Sequence, residues 1–147
     1  MAERPEIVAY IDGGARGNPG PAGYGVRIET MGGSLIEEFC ESIGVATNNV
    51  AEYRALIAAL EWAKAHGFRR VHVRSDSLLL VQQMLGNYKV KNAGLAALHA
   101  KAGELARQIG RVGFEHVRRA SNAHADRLAN AAMDDAKTEV RSLKSEV

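Results

Sequence analysis

The spacing of apolar residues changes near residue 49, and that switch limits the folds open to the chain. Before it, Ile7 to Ile11 is a short apolar run followed by glycines. Tyr24 to Glu29 and Leu35 to Glu41 carry β-branched or aromatic residues at partial two-residue spacing, with Gly32-Gly33 as a turn between them. Three strands in an antiparallel meander are expected, because short connections favour antiparallel neighbours. After it, Ala- and Leu-rich sequence from Asn49 to His66 has helical spacing and stops at Gly67. Asn48 or Asn49 is the expected N-cap.

The remaining chain alternates. Arg70 to Arg74 reads as a strand, SDSLLLVQQML as the start of a helix ending near Gly86, and NAGLAALHAKAGELARQIG as another helix. Gly113 to Val117 reads as a fifth strand and Asn122 to about Lys137 as a last helix. The order β-β-β-α-β-α-α-β-α describes an α/β fold with a five-stranded mixed sheet, its later strands entering through helical crossovers as parallel pairs. A single domain over residues 1–137 is expected, with a charged tail, 138–147, that frays.

In such sheets ligands gather beyond the carboxyl ends of the strands. Asp12 directly follows the first strand and Asp76 follows the fourth by two residues, so parallel pairing of these strands brings both acids to one edge. Glu52 heads the helical stripe Leu56, Ala59, Leu60 and Ala63 that faces the sheet, where an unpaired carboxylate costs several kcal/mol. Asp126 lies in the first turns of the last helix. Each acid alone has a plainer explanation: a strand-end cap for Asp76, an exposed rim or an arginine partner for Glu52, a favourable helix dipole for Asp126. Four together repel one another unless a divalent cation neutralises them, and an all-oxygen set suits Mg²⁺ or Mn²⁺ rather than zinc.

The stretch IVAYIDGGARGNPGPAGYGV holds six of the fifteen glycines. It lacks a Gly-Lys-Ser/Thr ending and no helix follows, so it is neither a P-loop nor a dinucleotide fingerprint. It reads as a hairpin connection held by Pro19 and Pro21, with Gly13 leaving the backbone bare beside Asp12. The net charge of +2 is too small to imply nucleic acid by itself. Basic clusters at Arg69, Arg70 and Arg74, and at Arg118, Arg119 and Arg127, read as solvated faces. The single Cys40 excludes an internal disulfide and reads as a buried thiol. No apolar run approaches a membrane span and MAERPE lacks a signal-peptide core, so a cytoplasmic protein is expected.

Four blocks in order, YIDGGARGNPGPAGYG, TNNVAEYRALIAALEWA, VRSDSLLLV and NAHADRLANAAM, resemble the signatures of type 1 ribonuclease H across residues 7 to 133. The resemblance implies a ribonuclease H fold and hydrolysis of the RNA strand of RNA/DNA hybrids with two metal ions, leaving 5′-phosphate and 3′-hydroxyl ends. It implies that Asp12 bridges both ions, Glu52 and Asp76 hold one, and Asp126 helps hold the other, with Gly13 among the metal-side positions. It places Asn18 near the hybrid backbone, Thr47 at a DNA phosphate, and Asn48 and Asn49 in the minor groove, where a 2′-hydroxyl distinguishes RNA from DNA. A monomer that needs no organic cofactor and no membrane is expected.

The chain also departs from the family pattern. Only RRAS separates Val117 from Asn122, so the longer loop with its product-release histidine has no counterpart. Arg119 matches the arginine of the short-loop branch, and His124 is a second candidate for turnover. Leu78 stands where some members have glutamine. The basic, tryptophan-bearing protrusion is replaced by GNYKVKNAG, which offers Lys89 and Lys91, while Trp62 lies mid-helix and is expected to pack. Fewer cations predict weak hybrid binding with a shallow salt dependence. The alternatives are a non-catalytic hybrid- or double-stranded-RNA-binding module, or another metal-dependent nuclease on the same fold.

Overall fold

The computed structural model describes the backbone of residues 4–145 and the side chains of residues 4–140. Strands β1 (Ile7–Ala15), β2 (Gly20–Thr30) and β3 (Leu35–Ala46) form the expected meander. Helix α1 (Asn48–Ala65), strand β4 (Arg70–Ser75), helices α2 (Leu78–Met84) and α3 (Ala93–Ile109), strand β5 (Arg111–His116) and helix α4 (Ala123–Ser145) follow. The sheet order is β3-β2-β1-β4-β5, antiparallel between β1, β2 and β3 and parallel between β1, β4 and β5.

The strands are longer than their apolar runs. β1 continues through Asp12 and both following glycines, and β2 already begins at Gly20. Most of the glycine-rich stretch is therefore sheet, with a tight connection closed by Arg16 N donating to the Pro21 carbonyl at 2.8 Å. Pro19 lies in that connection, whereas Pro21 belongs to β2.

Glycine here serves helix packing. A Cβ on Gly13 would meet the Ala51 backbone of α1 at 2.4 Å, so the helix lies directly on the strand. The next residue, Gly14, points to the opposite face, where Met133 of α4 lies 3.2 Å from the same kind of atom. Gly23 and Gly25 admit α4 likewise: added Cβ atoms would stand 2.5 Å from Ala132 and from Leu128. The bare side of Gly13 is thus taken by α1, and its backbone lines a cleft beside Asp12.

Leu56, Ala59, Leu60 and Ala63 are fully buried under α1, as the stripe predicts, in a core with Ile7, Ile11, Val26, Ile28, Val71 and Val73. Trp62 is half-buried, stacked between His66 and Phe68 with centroids 4.1 and 5.7 Å away. Met84 and Ala93 are joined by a short connection without further helix, as expected where the protrusion is replaced.

Three expectations fail. Cys40 is exposed, because it sits on the edge strand β3, at the margin of the face that α4 covers. The N-cap of α1 is Thr47, whose hydroxyl accepts from Val50 N at 3.2 Å, rather than Asn48 or Asn49. The last helix begins at Ala123, after a 3-10 turn over Arg119–Asn122, and continues to Ser145. The helix thus runs into the charged tail, in a stretch that holds no glycine or proline between Lys137 and Ser145. None of the helices among the described residues is long and apolar enough to cross a membrane.

Gly13→Ala should push α1 off the sheet. Urea unfolding is expected to show a loss of about 3 kcal/mol or more, at the upper end for overpacking. A loss below 1 kcal/mol would mean that the helix yields easily.

Candidate active site

Asp12, Glu52, Asp76 and Asp126 line one cleft at the carboxyl edge of the parallel strands, in a cavity of about 630 Å³. Each comes from a different element. Asp12 is carried by β1, opposite Gly25. Glu52 directly follows Ala51, so the contact at Gly13 delivers it. Asp76 leaves the end of β4, next to Ser77, which caps α2 by accepting from Leu80 N at 3.2 Å. Asp126 lies in the first turn of α4.

Crowding and burial raise the affinity of these acids for protons. Burial, then the charge of Asp76 and contact with Asp126, push Asp12 up to about 8. Burial likewise pushes Glu52 up to about 7, against a stabilising hydrogen bond from Ser77. Asp76 is raised by burial, but the Asn122 amide and the Arg119 charge oppose it. Arg119 Nη2 approaches Asp126 Oδ1 at 3.5 Å. The four acids stand around the cleft, and among the described residues no three His, Cys, Asp or Glu side chains form a ready-made cation site. The donors are all oxygen, which suits a hard divalent cation whose shell is completed by water or substrate.

The hairpin tip and the start of α1 are tied by two asparagines. Asn48 accepts through Oδ1 from Ala15 N at 2.7 Å, and its own N–H donates to Asn18 Oδ1 at 2.9 Å. Thr47 is occupied as cap. Asn48 lines the cleft; Asn18, Thr47, Asn49 and His124 do not. His124 is exposed on α4 and Asn49 is half-buried on α1. Arg119 lines the cleft as expected.

Sequence reasoning missed two contributors. Asn122 is fully buried, donates to the Ile11 carbonyl at 2.9 Å and supports Asp76, so it links the ends of β1 and β4. It was read only as a helix start. His116 lines the cleft, with Nε2 3.3 Å from the Asp76 carbonyl. The strand-end rule that singled out Asp12 and Asp76 applies equally to His116, which ends β5.

Known proteins share this fold and much of this sequence. A family described as Reverse transcriptase-like matches residues 10–132. RNase H1 of Halobacterium salinarum superposes with a TM-score of 0.85 at 43% identity, covering 88% of this chain and 98% of that one. The chain belongs to the ribonuclease HI family. Another member, the N-terminal RNase H domain of a bifunctional protein of Mycobacterium tuberculosis, superposes with a TM-score of 0.90 at 48% identity, covering 93% of this chain and 99% of that domain. LC11-RNase H1, solved in complex with an RNA/DNA hybrid, gives 0.84 at 47% identity over 88% of this chain and 98% of its own. The full-length mycobacterial relative is 51% identical over 132 residues, and the chain spans 36% of its length. Its ribonuclease HI counterpart from Halobacterium salinarum is 44% identical over 130 residues, and the chain spans 65% of it.

The raised carboxyls set a pH dependence. Asp12 and Glu52 keep protons in the fold that the unfolded chain releases near pH 4, so metal-free stability should fall as pH rises from about 4 to about 8. Asp12→Asn removes the larger contribution. At pH 8 in chelator it should exceed wild type by on the order of 1–3 kcal/mol, and its stability should vary less between pH 5 and pH 8. Parallel pH profiles for the two proteins would contradict this origin.

Proposed function

We propose that the chain is an endoribonuclease that hydrolyses the RNA strand of RNA/DNA hybrids with two divalent cations, Mg²⁺ or Mn²⁺, giving 5′-phosphate and 3′-hydroxyl ends. The observation that carries this reading is the convergence of four carboxylates from β1, α1, β4 and α4 on one cleft. Membership of the family and the hybrid complex of a 47% identical relative support the substrate. Asp12, Glu52, Asp76 and Asp126 would hold the cations. Cations bound there lower the pKa of a water nucleophile and offset charge on the leaving oxygen.

The chain's own groups bind and orient the substrate. Asn48 and Asn18 each spend the side-chain oxygen on a backbone N–H, which leaves their amide nitrogens as the donors for substrate. Donors in this place suit a ribose 2′-hydroxyl and the adjacent backbone. Asn49 and Thr47 flank them at the helix start, where N–H groups and the dipole favour a phosphate. Arg119, exposed beside Asp126, would meet the cleaved strand and shift Asp126 between partners during turnover. His124 is exposed at the start of α4 and has no part in this scheme.

End-labelled hybrid incubated with Mg²⁺ should be cut within its RNA strand. Asp12→Asn should reduce the rate at least about a hundredfold, because several kcal/mol of charge stabilisation depend on the cations. Uncut hybrid with wild type, or equal cutting by the variant, overturns the assignment. Tight binding without cutting in either metal would instead identify a non-catalytic hybrid-binding module, and preference for DNA/DNA would identify a different nuclease.

Arg119→Ala separates turnover from binding. Its exposed ion pair contributes at most about 1 kcal/mol to stability, so the variant should fold. Steady-state kcat should fall about tenfold while hybrid affinity changes less than threefold. An unchanged kcat would leave Arg119 as an ordinary phosphate contact.

A further inference from the structure

One face of the sheet is only partly roofed. α4 lies over β1, β2 and β3, while β4 and β5 expose side chains on that same face. Along β4, Val71, Val73 and Ser75 are buried toward the other helices, and Arg70, His72 and Arg74 alternate to the open side. The parallel register sets Arg111 of β5 beside Arg70, Gly113 beside His72, and Glu115 beside Arg74. Tyr10 of β1, two residues before Asp12 and on its face, accepts from Arg74 Nη1 at 2.6 Å. This column starts at the catalytic cleft, whose rim carries Arg118 and Arg119. It runs the length of β4, roughly 20 Å.

The column has one carboxylate against three arginines. Glu115 accepts from Arg74 Nε at 3.0 Å and from His72 Nε2 at 2.7 Å, which fixes both side chains near the cleft. The far end has no such partner. Arg69, Arg70 and Arg111 border a cavity of about 300 Å³ together with Ile109 and Gly110. Among the described residues none of the three makes an ion pair, and Arg70 Nε is buried with no hydrogen-bond acceptor. Like charges on adjacent strands repel, and an unsatisfied buried donor costs about 1–3 kcal/mol. An oxyanion between Arg70 and Arg111 relieves both. Helix dipoles do not account for these cations, since the last turns of α1 and α3 are served by Lys64 and Arg107.

We propose that this open face of β4 and β5 holds a single strand of nucleic acid leaving the cleft, its phosphates passing from Arg118 and Arg119 by Arg74 to Arg70 and Arg111. The proposal rests on the hybrid-cleaving reading above. Two adjacent strands form a ribbon roughly 5–10 Å across, narrow enough to seat one strand but not a duplex. Gly113, exposed midway, keeps the floor of the path low. The natural substrates are then hybrids that continue into a single-stranded flank, and the face compensates for the small number of lysines after α2.

The test compares a blunt hybrid with hybrids carrying a single-stranded extension on each end in turn, bound to the Asp12→Asn protein in Mg²⁺. One extension should tighten binding about tenfold at low salt. It should steepen the slope of log K against log salt by roughly two, as three phosphate contacts on a single strand require. Arg70→Gln with Arg111→Gln should abolish most of that gain. In the unsubstituted protein, a photoreactive base in the extension should crosslink to β4 or β5. No gain from any extension, a gain that survives the double substitution, or crosslinks only outside β4 and β5 overturns the proposal. Blunt-hybrid cleavage by the unsubstituted protein tells the two readings apart: if it is present, only the flank site fails, and if it is absent, both fail.

Discussion

The contact between the backbone of Ala51 and the bare face of Gly13 governs how close the first helix comes to the sheet. At that distance the next residue of the helix, Glu52, enters the cleft that Asp12 already lines. Gly23 and Gly25 give α4 the same closeness on the opposite face, and α4 carries Asp126. Asp12 and Asp76 share an edge because β1 and β4 are parallel neighbours. The acidic site is therefore a product of helix-to-strand distance, fixed by residues without side chains. A side chain at Gly13 would disturb catalysis and folding through the same displacement.

Gathering carboxylates works against the fold, and the protein distributes that opposition unevenly. Asp12, the most crowded, is held near 8, and Glu52 near 7. Asp76 receives help from the buried Asn122 amide and from Arg119. Asn122 also anchors the end of β1 through the Ile11 carbonyl, so one amide joins the two strands that carry acids. Its Oδ1 has no partner among the described residues. A buried polar group left half satisfied beside a reactive cleft indicates a position kept for the site, since an apolar residue would fill the space without that penalty.

The sequence made the elements legible wherever one period ran long enough. The Glu52 stripe forecast both the buried face of α1 and the acid at its head, and the strand-end rule found Asp12 and Asp76. Local competition was harder to read. Thr47, Asn48 and Asn49 are all good caps, and only the position of Ala15 across the hairpin shows why Thr47 takes the cap while Asn48 reaches for the strand. Cys40 sits in an alternating run, but alternation does not say which strand is the edge. Asn122 lies 111 residues from Ile11, its hydrogen-bond partner, so no local pattern announces that contact.

Net charge concealed the electrostatic design. A total of +2 is nearly neutral, yet the charges are sorted by strand geometry. Alternation sends Val71, Val73 and Ser75 into the core and Arg70, His72 and Arg74 to the other face, and the parallel register sets β5 so that Arg111 meets Arg70. Acids gather at the carboxyl edge, where two helices converge, and arginines line the part of the sheet that α4 does not reach. A polyanion is repelled by the bare acids and attracted by the column beside them. On the proposed reading it would be drawn first to the flank and admitted to the cleft once cations had offset the carboxylates. Approach and catalysis would then depend on separate charges, so a change at Arg70 or Arg111 would alter capture of the strand without touching the groups proposed to cut it.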